Sequence, residues 1–279
     1  MILSKSPNTF NDSPGADVIV RSGGEDPVDF LAHKCILSAA SPFFMTMFSL
    51  PQAQQTPSLS PLPVIEMSEE AFILEPLLQF IYPIPDPPVS SLDTLVSLLC
   101  AATKYDMSGV ISRLRELLVS PNFLRESPVR VFAIASRFEL EEEAKRASQH
   151  TLHINVLDCP LSDDLKHVTA FSYYRLLDLH RRRAEAAQKL LVMGDGVKCM
   201  QCNGQGYTSF AAPKWWVEFK ERAREELRVR PTTKVIFSLG FLAEVANASG
   251  CQRCAGSILA SYTFLDALKA RIDELPSTI

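Results

Sequence analysis

Residues 29–48 read DFLAHKCILSAASPFFMTMF, and this stretch begins with the pattern of a β-strand. Val28, Phe30 and Ala32 alternate with the residues between them, so one face of the strand can be buried. Apolar residues then recur at helical spacing from Cys35 to Ala40. The sequence therefore predicts a strand that is followed directly by a short helix.

A second helix is predicted immediately after the first. Ser41 is a favourable N-cap residue, and Pro42 occupies the first helical position, where its missing N–H has no partner to lose. The apolar residues of this helix are Phe43, Phe44, Met47 and Phe48. Because these large rings lie close together, we expect the two helices to sit in the middle of a core.

The same residues resemble the pattern of the BTB/POZ domain family. That pattern is a DV strand, then F-x-x-H-[KR]-x-x-L-x-x-x-S-x-x-F and a following MF. Here it is met by Asp17-Val18, Phe30, His33-Lys34, Leu37, Ser41, Phe44 and Met47-Phe48. Residues 101–106, AATKYD, resemble the AA-x-KY helix of the family, and residues 80–83, FIYP, replace the Y-T-G turn of animal members. The resemblance covers roughly residues 15–120 and is closest to fungal BTB domain-containing proteins.

The resemblance implies an α+β fold, in which a small β-sheet is covered by about five helices and is followed by an all-helical C-terminal region. We expect a flexible tail over residues 1–15, because this segment is rich in Ser, Pro and Asn. The BTB/POZ domain is expected over 16–120 and a helical extension over 121–155. A helical C-terminal domain with paired CxxC motifs is expected over 156–279.

Composition narrows the class of protein. The chain has 279 residues, 47% of them hydrophobic, and a net charge of −4, which gives no electrostatic reason to expect nucleic-acid binding. It contains no apolar run long enough for a transmembrane helix, and residues 1–15 lack the apolar core of a signal peptide. We therefore expect a cytoplasmic or nuclear protein with no membrane partner. Seven cysteines in such a chain favour thiols or metal ligands over disulfides.

Two C-x-x-C motifs carry the strongest chemical signal, and their cysteines are Cys199, Cys202, Cys251 and Cys254. Each motif is followed two residues later by a glycine, Gly204 or Gly256, which lets the chain curl as it does in a zinc knuckle. The first motif resembles the knuckle of DnaJ-type zinc domains, a family that carries four copies in tandem.

One structural zinc ion held by all four thiolates is the main prediction for these motifs. Forty-eight residues separate them, more than the usual gap of roughly 15–20, so the intervening helices would have to fold back. Four reduced thiols near a helix end are one alternative. A redox pair is another, although a thioredoxin-type pair needs a βαβ setting and this region has helical periodicity.

Three further residues of the N-terminal half have candidate roles. Asp17 and Lys34 match the family positions of a charged pair near the dimer interface, and an ordinary salt bridge is the alternative. His33 has no companion at metal-binding or catalytic spacing, so we expect a core histidine with a backbone partner.

Arg181-Arg182-Arg183 is predicted to be a solvated helix face, because consecutive helical residues point in different directions. Asp178 with Arg182, and Arg181 with Glu185, have the spacing of i, i+4 ion pairs. At least one residue of Trp215-Trp216 is expected in the core.

Nothing in the sequence supports an enzyme, since the motifs of nucleophilic, phosphate-binding and zinc-protease sites are missing. The resemblance implies a protein-interaction module that associates with itself, as a homodimer, or with other proteins. A substrate adaptor of a cullin-type ubiquitin ligase is the alternative, supported by the helical pair at 128–153. Such adaptors often carry a hydrophobic-x-Glu motif in the loop after the MF helix, whereas residues 49–63 contain no acid. A transcription regulator would have to act through partners, because the chain lacks a zinc-finger array and a basic region.

Overall fold

The structure is a computed structural model that describes residues 4–5, 10, 13–50, 62–203 and 211–279. The chain forms two compact units, residues 1–123 and 124–279. The further division of the second unit at residue 155 stays a prediction. Within the described ranges, no helix combines the length and the apolar character that crossing a membrane requires.

The first unit is built on a four-stranded mixed sheet. Its strands are β1 (Ser4–Lys5), β2 (Val18–Gly23), β3 (Val28–Ala32) and β4 (Val64–Glu70), in the order β1-β3-β2-β4. β2 and β3 form an antiparallel hairpin, while β4 is parallel to β2 and β1 is parallel to β3. Phe30 and Ala32 are fully buried, so the predicted period of two does place one strand face in the core.

Five helices accompany this sheet in the described part of the unit. They are α1 (Lys34–Ala40), α2 (Pro42–Ser49), α3 (Ala71–Ile81), α4 (Leu92–Lys104) and α5 (Ser108–Leu118), and α6 (Pro121–Glu126) lies at the division between the units. Their buried leucines and Phe44 pack together with Val18, Val20 and Phe30 of the sheet in forming the core. The predicted α+β fold with about five helices is therefore the fold observed.

Ser41 joins the two short helices to the core as predicted. The backbone N–H of Phe44 donates to Ser41 Oγ at 3.2 Å, which is the N-cap bond of α2. The hydroxyl in turn donates to the carbonyl of Tyr105 at 2.5 Å. The Phe44 ring stacks on the Tyr105 ring with centroids 5.6 Å apart. One serine thus caps α2 and fixes it to the end of α4.

A flexible tail is predicted over residues 1–15, and within that segment the described residues Ser4, Lys5 and Phe10 contact the rest of the first unit. Ser4–Lys5 pair with Val28–Asp29 of β3, and Phe10 is 1% exposed. The Phe10 ring packs edge-on against Tyr82, with centroids 5.0 Å apart, and against Phe30. A single aromatic residue in a Ser- and Asn-rich segment gives no periodicity, so the sequence pattern did not reveal this anchor.

In its described part, the second unit consists of helices. Beyond α6 they are α7 (Pro128–Arg137), α8 (Glu141–Thr151), α9 (Ala170–Leu190), α10 (Lys214–Val229), α11 (Thr233–Ile236), α12 (Leu239–Ala248), α13 (Cys254–Ala260) and α14 (Tyr262–Asp273), with two short 3₁₀ helices at Val156–Asp158 and Asp163–His167. α7 packs on α8, and α10 packs on α9 and α12. Trp215 and Trp216 are both buried in this core, where the sequence predicted at least one.

The arginine run on α9 contains both predicted ion pairs. Arg182 Nε lies 2.6 Å from Asp178, and Arg181 Nη1 lies 3.2 Å from Glu185. Arg183, however, is only 6% exposed and is not part of a solvated face. Its guanidinium donates to backbone carbonyls, among them those of Pro231 and Ile272. The prediction therefore holds for two of the three arginines.

Candidate metal centre

The two C-x-x-C motifs meet in the second unit. The first motif lies in the turn between α9 and α10, and the second joins α12 to α13. The Sγ atoms of all four cysteines, Cys199, Cys202, Cys251 and Cys254, lie within 4.8 Å of one another. α10, α11 and α12 fold back between the two motifs, as a shared site requires.

The first motif forms a closed turn. The backbone N–H of Cys199 donates to the side-chain oxygen of Asn203 at 2.6 Å, and the N–H of Asn203 donates to the carbonyl of Cys199 at 3.3 Å. These two bonds between the same residues fix the curvature of the turn, so both sulfurs face the same side. Gly204, to which the sequence pattern assigns this curvature, lies outside the described residues.

The second motif is positioned by a glycine and by the start of a helix. Gly250 has a φ of +61°, a left-handed conformation that glycine adopts readily, and it directly precedes Cys251. The N–H of Cys254 donates to the carbonyl of Cys251 at 3.1 Å, and Cys254 is the first residue of α13. Gly256 lies inside α13 with no atom near an added Cβ, so its predicted role in curling the chain is wrong.

The sulfur positions fit a tetrahedral metal. The Sγ–Sγ distances are 3.8 Å for Cys199–Cys251, 3.7 Å for Cys202–Cys254 and 3.9 Å for Cys199–Cys254. A zinc ion about 2.3 Å from each of four tetrahedral sulfur ligands places those sulfurs about 3.8 Å apart. The donor set is all thiolate, which suits zinc or iron. The geometry therefore matches a four-coordinate thiolate site.

The surroundings of the four thiols favour an unequal distribution of protons. Burial raises the pKa of Cys199, but hydrogen bonds from Ser257 and from the backbone N–H groups of Gln201 and Cys202 outweigh it, so the pKa falls to about 6. Burial, together with hydrogen bonds to neighbouring thiols, raises the pKa of Cys202 to about 12. Burial also raises the pKa of Cys254. Thiols this close do not all ionise together, because the thiolates repel one another. A metal cation that replaces their protons would offset this repulsion.

Burial separates the cluster into an inner and an outer pair. Cys199 and Cys254 are 1% and 0% exposed and belong to the core that contains Trp215 and Trp216. Cys202 and Cys251 are partly exposed. The two buried cysteines therefore anchor both motifs to this core.

The candidate interface residues lie in the first unit. The backbone N–H of Lys34, at the start of α1, donates to Asp17 Oδ1 at 2.8 Å. The described contact between the two residues is therefore a hydrogen bond at the start of α1, and their place at a dimer interface stays a prediction. The Lys34 Nζ atom lies 5.8 Å from the ring centroid of Phe48, at the end of α2.

His33 has the predicted backbone partner but is only half-buried. Its Nε2 lies 3.1 Å from the carbonyl of Pro14. The Tyr82 hydroxyl lies 2.9 Å from the His33 backbone N–H and 3.1 Å from Nδ1. The sequence pattern did not indicate Tyr82, which lies forty-nine residues further along the chain. His33 therefore fastens the start of α1 to the end of α3.

Three large apolar side chains on α2 or directly after it are exposed. Phe43 is 45% exposed, Met45 is 56% exposed and Leu50, which follows the helix, is 57% exposed.

Residues 8–122 match the family model described as BTB/POZ domain. This part of the chain is therefore similar to BTB/POZ domains, and domains of that family generally mediate protein–protein interaction. Among solved structures, the BTB domain of zebrafish PATZ1 is 29% identical, with a TM-score of 0.29, and the match covers 37% of this chain and 75% of that one. No curated protein matches the chain. The family match does not extend over the second unit.

Proposed function

We propose that the chain is a non-enzymatic protein of the cytoplasm or nucleus, whose BTB/POZ domain associates with a second copy or with a partner protein. The observation that supports this most directly is the exposure of Phe43 and Met45 on α2 and of Leu50 directly after it. Asp17 and Lys34 lie at the start of the adjoining α1, where they would add polar contacts at the edge of the interface. Apolar side chains exposed together on one short helix commonly mark a binding surface.

Light scattering during gel filtration tests self-association. A homodimer should show about twice the chain mass of 31.0 kDa and should dissociate on dilution. Met45→Glu should shift the population to monomer, because a charge would be buried without a partner. Leu239→Glu is the control, since Leu239 is 82% exposed on α12 in the other unit. A wild-type chain that remains monomeric at every concentration would contradict self-association.

A cullin-type adaptor is the second candidate. The pair α7 and α8 supports it, because a helical pair follows the BTB domain in some cullin-binding families. The acid-free loop argues against it, and most of that loop, residues 51–61, lies outside the described residues. A pull-down from cell extract in which no cullin is detected by antibody or mass spectrometry would remove this candidate.

Residues 80–83, FIYP, with the proline-rich segment that follows them, replace the Y-T-G turn of animal members. This replacement supports placing the domain among fungal BTB proteins. An alignment in which animal sequences share the FIYP segment would contradict the grouping.

We further propose that one zinc ion is bound by Cys199, Cys202, Cys251 and Cys254. Its role is structural, because all four ligand positions are filled by protein and none is left for a substrate. The ion would join the α9–α10 loop to the start of α13. Metal analysis of the purified protein should give one zinc per chain, and well under one zinc would refute the site. A coloured protein with one iron per chain would assign the centre to iron instead.

A further inference from the structure

A groove of about 540 Å³ lies beside the cysteine cluster in the second unit. One wall is the segment leading into the first C-x-x-C motif, and the other is formed by the second motif and α13. The residues that line it include Gly196, Lys198, Met200, Arg253, Gly256 and Ala260. The groove therefore runs between the tips of the two loops that the proposed zinc ion would join.

The charged side chains that line the groove are all positive. Lys198 and Arg253 lie on opposite walls, both are exposed, and the described residues that line the groove include no acid. Neither cation has an ion-pair partner within the described part of the chain. By contrast, Arg222 and Arg230 on α10 are each paired with a glutamate one turn away. Two unpaired cations that face a common space favour an anionic ligand.

The shape of the groove suits an extended peptide. Small residues form much of its lining, and a Cβ added at Gly196 or Gly256 would meet no atom within 4 Å. Met200 is 85% exposed beside this space, and a flexible thioether can adapt to an apolar side chain of a ligand. A chain that alternates acidic with apolar residues would complement both the cations and the methionine.

The thiolates compete for the same two cations. A zinc ion with four thiolates carries a net charge of −2, and Lys198 and Arg253 are each next to a cysteine in sequence. Backbone N–H groups, including that of Lys214 at 3.4 Å from Cys202 Sγ, already donate to the sulfurs. Hydrogen bonds of this kind spread the negative charge of the centre and leave the two exposed side chains available to a ligand.

We infer that the groove between Lys198 and Arg253 binds an acidic segment of a partner protein. This inference rests on the proposed zinc centre, which would hold the two walls at a fixed separation before the ligand arrives. Preorganised walls reduce the entropy that is lost on binding. Metal content and ligand binding are separate measurements, so a failure of one can be told from a failure of the other.

Fluorescence anisotropy with a labelled peptide in which glutamate alternates with leucine tests the inference. The full chain should bind it saturably, and the affinity should fall as salt is added. The double variant Lys198→Glu/Arg253→Glu should keep its zinc and bind at least about tenfold more weakly. Arg224→Glu/Arg228→Glu, on exposed positions of α10, makes the same change in net charge and should bind like the wild type.

Four results would overturn the inference. Loss of zinc in the Lys198→Glu/Arg253→Glu variant would show that these cations serve the metal centre. Equal weakening in the α10 variant would show that binding follows net charge alone. Failure of the wild-type chain to bind the acidic peptide would exclude an acidic protein segment as the ligand. Displacement of the bound peptide by a single-stranded oligonucleotide at low concentration would exclude it as well.

Discussion

The Sγ atom of Cys202 lies 3.7 Å from the Sγ atom of Cys254, although fifty-one residues separate the two in sequence. One residue ends the first turn and the other begins α13, so this contact closes a long loop of the second unit. A metal bound here would restrict the unfolded chain as well as hold the folded one. The stability of the second unit should therefore depend on the metal.

Replacing Cys254 by Ser should remove this dependence. We expect the Cys254→Ser variant to lose its zinc and to unfold with a free energy lower by about 3 kcal/mol or more. Both tryptophans of the chain are buried next to Cys254 in the same core, so their emission reports on this unit. Cys35→Ser is the matched control, because Cys35 is an exposed thiol outside the cluster. Equal stability of the two variants in denaturant titrations would argue against a structural metal.

Arg183 should matter more to stability than its neighbour Arg182. Its guanidinium donates to the carbonyls of Pro231 at 2.8 Å and Ile272 at 3.0 Å, and it also donates to those of Leu275 and Pro276. Burial lowers the pKa of Arg183, an effect that the charge of Asp273 partly offsets. The side chain therefore ties α9 to the C-terminal end of α14.

The Arg183→Met variant leaves these carbonyls without their donor, and we expect a loss of about 2–4 kcal/mol in the free energy of unfolding. Arg182→Met, at a side chain that is 75% exposed, should cost under about 1 kcal/mol. Denaturant titrations followed by tryptophan emission would measure both. A smaller effect at Arg183 than at Arg182 would refute the assigned role.

The hairpin and the Ser41 cap could be predicted because each depends on neighbouring residues. A period of two places Phe30 and Ala32 inward, and a serine followed by proline starts a helix whatever surrounds it. The long-range contacts of Phe10 and Tyr82 gave no such local signal. These contacts join segments that are far apart in sequence. A single sequence does not show which distant segments meet in the fold.

For the metal cluster too, local features could be predicted from the sequence and long-range contacts could not. The C-x-x-C spacing identified the four ligands, because two thiolates on one tight turn can share a metal. That the turns meet depends on how α10, α11 and α12 pack, which periodicity does not specify. Both Gly250 and Gly256 lie near the second motif, and the left-handed conformation falls on Gly250, directly before the first ligand of that motif. The burial of Arg183 could not be predicted either, because it lies in a run of three arginines whose pattern indicates a solvated face.

The contact between Tyr82 and His33 should protect the start of α1. The Tyr82 hydroxyl accepts from the His33 backbone N–H and donates to Nδ1, so Nε2 carries the proton that it donates to the carbonyl of Pro14. Tyr82→Phe leaves the N–H without its acceptor and should cost about 1–2 kcal/mol. Faster hydrogen exchange of the His33 amide would show this directly. Tyr174→Phe, at a residue 64% exposed, should leave that amide unchanged.

His180 should make the second unit sensitive to mild acid. Burial lowers its pKa from 6.5 to about 4. The Thr151 hydroxyl donates to the carbonyl of Ser148 at 2.6 Å and so accepts from Nε2 of His180 at 3.0 Å, a bond that suits the neutral ring. In the unfolded chain the ring gains a proton below pH 6.5, whereas in the folded unit it stays neutral down to about pH 4.

The unfolded state therefore binds more protons within this window, and stability that is complete above pH 6.5 is lost as the pH falls towards 4. Between pH 7 and pH 5 the loss from His180 should be about 2 kcal/mol. Burial also lowers the pKa of His150 and of His153, so the wild-type curve contains their contributions in the same direction. Subtracting the curve of a His180→Gln variant, which lacks only this ring, isolates the one residue. An NMR titration of His180 with a midpoint near 6.5 would contradict the prediction, because a ring that titrates normally in the folded state contributes no dependence on pH.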